Sequence, residues 1–191
     1  MKSRIVFSSL AAVLTLALTG CQSPVSKPES ISEVPFTPSA SIQEIMASII
    51  DTNADDVWNS VSTIITKNGV EERAPHTDEE WKAVRRHAVT LAEASNLLII
   101  EGRKVAAPGA STSDVPAELS ATEIQKNISE NRQAFIGHAT VFHEAVQRAI
   151  AAIDTKNTAE LVDAGGVIDQ ACEGCHLQFW YPLNRNGKIA Q

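Results

Sequence analysis

The chain has 191 residues, of which 43% are hydrophobic and 20% charged, and its formal net charge is −7. These proportions are ordinary for one globular domain that is long enough to bury a core. The acidity argues against nucleic acid and anionic lipid headgroups as partners, and it suits a protein partner with a basic docking face.

The first 20 residues have the features of a secretory signal. Lys2 and Arg4 precede an apolar run, Ile5 to Leu18, that is too short to span a bilayer comfortably. The run ends in Leu-Thr-Gly-Cys21, which resembles a bacterial lipobox, so residues 1–20 are predicted to be a lipoprotein signal and Cys21 the lipidated residue. The alternative is an ordinary signal that leaves Cys21 as a free thiol, a liability in an oxidising compartment.

A lipid anchor predicts a location on the periplasmic side of a bacterial membrane. Gln22, rather than Asp, follows the cysteine, and by resemblance to known lipoproteins this favours the outer membrane. Loss of Lys2 and Arg4 with the signal takes the net charge from −7 to −9. Residues 21–40 contain four prolines and no periodicity, which predicts an extended tether.

The next segment predicts two amphipathic helices. Ser41 opens the first with a capping box, and its apolar stripe is predicted to continue to Ile65 and to stop at Lys67-Asn68-Gly69. Thr77 opens the second, again with a capping box, and Asn96 is a plausible stop. Residues 101–119 are rich in Gly, Pro, Ser and Thr, which predicts a long surface loop.

Two further helices complete the prediction. Ser120 opens a long third helix that runs to about Asp154, with a break near Asn131. Asn157 opens the fourth, and an aromatic run ending at Pro182 closes it, leaving residues 183–191 as a tail. No stretch alternates at period two, so the expected fold is all-α: an antiparallel up-down-up-down four-helix bundle over residues 41–182 without a sheet.

The strongest chemical signal lies near the end of the fourth helix. Cys172, Cys175 and His176 form the C-x-x-C-H pattern of covalent haem attachment, and positions i, i+3 and i+4 share one helix face. The pattern predicts one haem c, held by two cysteine thioethers and by His176 as an iron ligand. The alternative, half of a zinc site, requires two further ligands at characteristic spacing. With Cys21 lipidated, no cysteine remains for a disulfide.

Met46 is the candidate sixth iron ligand. It is the only methionine left once the signal is removed, and it lies ~7 Å along the first helix from the end where the fourth finishes. His176 lies equally close to the end of the fourth helix, so the two are predicted to be level. The alternative is a methionine that fills a gap in the core.

The other histidines are predicted to lie off this level. His138 and His143 lie roughly 25 to 35 Å along the third helix, and His87 lies on the order of 14 Å down the second. His76 falls in the far loop.

These residues resemble the class II c-type cytochromes, the cytochrome c′ and cytochrome c556 group. The resemblance spans about residues 41–182 and rests on the late Cys172-to-His176 motif, the segment from Met46 to Trp58, and the aromatic run after His176. It implies a four-helix bundle in which the c556 type has a methionine ligand from the first helix, whereas cytochrome c′ lacks one and binds gases. The family's dimers often pair through the first two helices, so a homodimer is an open alternative.

The expected function is therefore electron transfer without enzymatic activity, because a His/Met haem has no open iron site. The rival expectation is a five-coordinate haem protein that binds NO or CO. Arg103, with Lys104, is a candidate contact for the haem propionates, and the alternative is a solvated pair of loop charges. Trp180 and Tyr181 are candidates for packing against the proximal side of the haem, or for capping the core.

Overall fold

The computed structural model describes residues 36–110 and 118–182. The predicted signal, the lipidated Cys21, most of the tether and the tail lie outside the described residues. Within the described segments the chain is mostly helical, with one small two-stranded sheet. No helix in these segments combines the length and apolar character needed to cross a membrane.

The first helical stretch has three parts. It consists of α1 (Ile42–Ile45), a π-helical turn (Met46–Ile50) and α2 (Asp51–Asn59). The predicted capping box is confirmed, because Glu44 N–H donates to Ser41 Oγ and Ser41 N–H donates to the Glu44 carboxylate. Two backbone N–H groups at the start of α1 are satisfied by carbonyl groups of the 104–105 segment.

The prediction that this helix continues to Ile65 is wrong. The helix ends at Asn59, and β1 (Thr63–Thr66) pairs antiparallel with β2 (Gly69–Glu72). The run Thr-Ile-Ile-Thr is β-branched throughout, which favours extended backbone, and Gly69 adopts a φ of +132° at the turn. Asn-Gly, interpreted above as a helix stop, is instead part of a hairpin.

Four helices make up the rest of the described fold. They are α3 (Asp78–Leu98), α4 (Ala121–Glu130), α5 (Arg132–Asp154) and α6 (Thr158–Phe179). The capping boxes at Thr77 and Ser120 are confirmed, and so is the break at Asn131. Helix α3 passes the predicted stop at Asn96 by two residues.

Helix α5 packs along both α3 and α6, and α2 contacts α3 and α6. The short α4 contacts α5 and α6. The apolar stripes of these helices meet in one core whose fully buried large side chains include Leu91, Ile124, Phe135, Leu161, Ile168 and Phe179. Each of these helices therefore buries an apolar face in the core.

Candidate functional site

A partly open cleft lies between the first helical stretch, α5 and α6. Its volume is about 280 Å³, near the lower end of the ~300–1,000 Å³ typical of small-molecule sites. Its lining is mainly apolar, with a few polar and sulfur-bearing groups. The lining side chains are Met46, Ile50, Asp51, Ala54, Asp55, Trp58, Leu98, Phe135, His138, Ala139, Phe142, Asp169, Ala171, Cys172, Glu173, Cys175 and His176.

The two cysteines and the histidine of the C-x-x-C-H motif line this cleft together. They lie in the last two turns of α6, and both thiols are free and partly buried. Burial, followed by the nearby carboxylates of Asp169 and Asp51, raises the pKa of Cys172 to about 11. Burial and the neighbouring Cys172 raise the pKa of Cys175 to about 12. Both groups are therefore neutral thiols at pH 7.

Met46 lines the same cleft from the first helical stretch, across from α6. Its side chain is half-buried against the core, at the start of the π-helical turn. The wider turn is closed by the Asp51 N–H, which donates to the Met46 carbonyl oxygen. Because a π-helical turn contains an extra residue, it shifts the apolar stripe from Ile45 to Ile50 and leaves Met46 at the edge that faces the cleft.

His138 also lines the cleft, and the prediction that it lies too deep is wrong. Its Nε2 is 2.7 Å from Gln178 Oε1 on α6, and its Cε1 is 3.7 Å from where a Cβ of Gly174 would stand. The distance of His138 was counted along a straight helix from Ser120, without allowance for the predicted break at Asn131. Asn131 instead has non-helical backbone angles, so α5 starts again at this point and His138 is only ~10 Å along it.

The ring of His176 lies against the aromatic residues that end α6. Its centroid is 5.7 Å from that of Trp180 and 5.9 Å from that of Tyr181, and the backbone N–H groups of both donate to the His176 carbonyl oxygen. Tyr181 Oη donates to Glu173 Oε2 at 2.6 Å. Burial and this carboxylate raise the pKa of Tyr181, so its hydroxyl stays protonated. Trp180 is buried and does not line the cleft.

Arg103 lies away from the cleft lining. Its side chain is 8% exposed, and its guanidinium donates to the carbonyl oxygens of Leu97, at 2.6 Å, and Ala40, at 2.5 Å. Arg132 donates in the same way to the carbonyl oxygen of Ile99. The two arginines satisfy backbone carbonyls at the end of α3, and in Arg103 the Nε and Nη1 groups are used for bonds to backbone carbonyls.

The exposed side of the cleft is acidic. Four carboxylates line it, and no lysine or arginine does so in the described part of the chain. Burial raises the pKa of Asp51. The neighbouring His176 lowers this pKa in part, and Asp55 raises it further. The sequence analysis did not predict this acidic lining, although each pair of carboxylates is spaced four residues apart and so shares one helix face. The four residues are Asp51, Asp55, Asp169 and Glu173.

Trp58 and Gly165 fix how α2 lies against α6. The Trp58 Nε1–H donates to the Gly165 carbonyl oxygen at 3.1 Å. Met46 precedes Trp58 by 12 residues and His176 follows Gly165 by 11, and Met46, Trp58 and His176 all line the cleft. That Met46 and His176 are level along the helices stays a prediction.

Among residues 36–110 and 118–182, no group of three or more His, Cys, Asp and Glu side chains is arranged to hold a metal ion by itself. In comparisons with known proteins, no family model, no curated protein and no solved structure matches the chain.

Proposed function

We propose that this protein is a membrane-anchored c-type cytochrome that carries single electrons through one covalently bound haem with His176 and Met46 as iron ligands. The observation that carries the proposal is that both cysteines of the motif, His176 and Met46 line one cleft. When bound, the haem supplies a one-electron iron couple, and methionine ligation raises its potential.

The donor set fits a haem. A neutral thiol at Cys172 and another at Cys175 would each add across a haem vinyl group. In each addition the sulfur bonds to one vinyl carbon and the thiol proton goes to the other, so no outside oxidant or reductant is required. The apolar side chains of Ile50, Phe135 and Phe142 would exclude water from the buried side of the cleft.

The proposed fold is an antiparallel four-helix bundle of the class II cytochrome type. Its first helix comprises α1, the π-helical turn and α2; α3, the bent α4–α5 pair and α6 follow. The packing of α5 along α3 and α6, together with the contacts of α2 with α3 and α6, supports this arrangement. It differs from the family pattern in the hairpin and in the segment after α3.

The proposed setting is the periplasmic side of a bacterial membrane, with Cys21 lipidated. The proposed partners are redox proteins, and the acidic lining beside Asp51 and Glu173 suits a basic docking face on them. Cys21→Ser should move the protein from the membrane fraction to the soluble fraction. Retention of this variant in the membrane would contradict lipidation at Cys21.

The ferric absorption spectrum of the purified protein tests the electron-carrier proposal. We expect a covalent haem by pyridine haemochrome assay and a low-spin ferric spectrum with a methionine-to-iron charge-transfer band. Met46→Ala should give a high-spin form that takes up NO or CO. His138 is the other histidine lining the cleft, so Met46→Ala/His138→Ala controls for its binding to the iron in the single variant.

Two outcomes would overturn this proposal. A wild-type protein that is already high-spin and five-coordinate would favour the gas-binding function, with Met46 serving only as an apolar side chain. A mature chain without covalent haem would remove the basis for both functions.

A further inference from the structure

Helices α2 and α6 come into direct contact where Trp58 meets Gly165. A Cβ added at Gly165 would stand 3.0 Å from Trp58 Cδ1 and 3.4 Å from Trp58 Nε1. Carbon atoms in optimal contact are about 3.5–4.0 Å apart, so no side chain fits here unless the indole or the helix moves. The hydrogen bond from Trp58 Nε1–H to the Gly165 carbonyl oxygen holds the indole in this position.

The neighbouring Gly166 has room for a side chain. A Cβ at Gly166 would meet no atom within 4 Å, and Gly166 is exposed. Glycine in a helix interior is destabilising relative to alanine at either position. Close approach of Trp58 therefore gives a physical reason for glycine at 165 that does not apply at 166.

The Trp58 side chain connects this contact with the cleft that the candidate ligands line. Trp58 lines the same cleft as Met46 and His176. Met46 lies in the π-helical turn that leads directly into α2, and His176 lies on α6. A displacement of α2 from α6 at Trp58 therefore alters the gap that the ligands must span.

We propose that the Trp58–Gly165 contact sets the spacing between α2 and α6 that allows Met46 to bind the iron. Trp58 and Gly165 act as positioning residues, because neither supplies an atom to the iron. The inference rests on the proposed function and adds to it the element that determines whether the sixth position is closed by methionine or open to an external ligand. The strength of the Met46–iron bond is measurable, because an external ligand must displace Met46 before it can bind the iron.

Imidazole titration of the ferric holoprotein tests this inference with a matched pair of variants. In Gly165→Ala the added methyl group forces Trp58 away from α6, so the Met46–iron bond weakens. We expect apparent imidazole affinity to rise roughly tenfold, which corresponds to about 1.4 kcal/mol, and the methionine charge-transfer band to lose intensity. In Gly166→Ala the affinity and the band should stay at their wild-type values.

A second variant keeps the test decisive where Gly165→Ala does not fold. Trp58→Phe removes the indole N–H while retaining an aromatic ring, and it should raise imidazole affinity several-fold. Thermal unfolding of each holoprotein separates this effect from stability, because a purely structural contact would lower the melting temperature and leave the affinity of folded protein unchanged. Imidazole affinities in Gly165→Ala and Trp58→Phe equal to that of Gly166→Ala would overturn the inference.

The same experiment distinguishes failure of the spacing role from failure of the proposed function. Wild-type protein with the charge-transfer band but no difference between the alanine variants refutes the spacing role alone. Wild-type protein without methionine ligation refutes the proposed function, and the spacing role with it.

Discussion

The imidazole of His143 on α5 contacts the backbone of α3 at Ala92: its Nδ1 lies 3.0 Å from the Ala92 carbonyl oxygen and 3.0 Å from Ser95 Oγ. The other ring nitrogen, Nε2, lies 3.3 Å from the amide nitrogen of Gln147. Because an amide N–H can only donate, Nε2 accepts and the ring proton is assigned to Nδ1, which donates to Ala92. His143 thus links α5 to α3.

Replacing this histidine should weaken the packing of α3 on α5. His143→Phe keeps a ring of similar size but removes the N–H donor, and we expect the free energy of unfolding to fall by about 1–2 kcal/mol. Gln147→Ala, at an exposed position on the same helix, should cost less than about 0.5 kcal/mol. Urea unfolding followed by circular dichroism measures both. Equal effects would mean that the cross-helix bond contributes nothing.

The three capping boxes make the fold sensitive to acid. Hydrogen bonds from backbone and side-chain groups lower the pKa of Glu44, Glu80 and Glu123 from the ordinary value of 4.5. Each carboxylate is more acidic in the folded state, so its stabilising effect is complete above the unfolded-state pKa and is lost as pH falls through the folded-state pKa. We expect the melting temperature to decline as pH drops below about 4.5.

Glutamine substitutions isolate this titration. A glutamine at the third helical position can still accept the reciprocal capping bond but does not titrate in this range. The triple variant with glutamine at Glu44, Glu80 and Glu123 should therefore show a shallower fall in melting temperature between pH 5 and pH 3 than wild type, measured by differential scanning calorimetry. Parallel curves would assign the acid sensitivity to other carboxylates, such as Asp78 and Asp154 in their ion pairs.

Arg103 is expected to matter for stability and not for the redox potential. Arg103→Met removes both bonds to the carbonyl oxygens of Leu97 and Ala40, which should cost about 1.5–3 kcal/mol because the donor is charged. Lys104→Met, at the exposed neighbouring position, is the control for charge loss. Thermal unfolding and a spectroelectrochemical titration measure the two properties. A potential that shifts in Arg103→Met but not in Lys104→Met would support the predicted propionate contact.

The sequence predicted where the helices begin because the interactions that start a helix involve residues close together in the chain. A capping box requires residues only three positions apart, and the boxes at Ser41, Thr77 and Ser120 are all present. The grouping of Met46 with His176 was predictable for a related reason, since helix rise converts sequence position into level along a bundle. Both conclusions require little knowledge of how one helix packs on another.

The parts of the structure that the sequence did not predict are departures from regular helices. The break at Asn131 was predicted, but its effect on distances counted along the third helix was not, and His138 was misplaced for that reason. The π-helical turn at Met46 and the close approach of Trp58 to Gly165 arise from packing and have no local signature. The strand Thr63–Thr66 was misread because Ile64 and Ile65 also fit the helical stripe of the preceding segment.

The hairpin should unfold locally without affecting the helices. Gly69 has a φ of +132°, which β-branched residues rarely adopt, so Gly69→Val should strain the turn by about 1–3 kcal/mol. Both strands are largely exposed, and an isolated two-stranded hairpin is marginally stable. We expect limited proteolysis to cut between residues 60 and 75 faster in Gly69→Val than in wild type, whereas Lys67→Ala, at an exposed turn position, should resemble wild type.

The melting temperature of the helices should change by less than about 2 °C in Gly69→Val, because 1 kcal/mol shifts it by roughly 2–4 °C in a protein of this size. A larger fall would show that the hairpin stabilises the helical core.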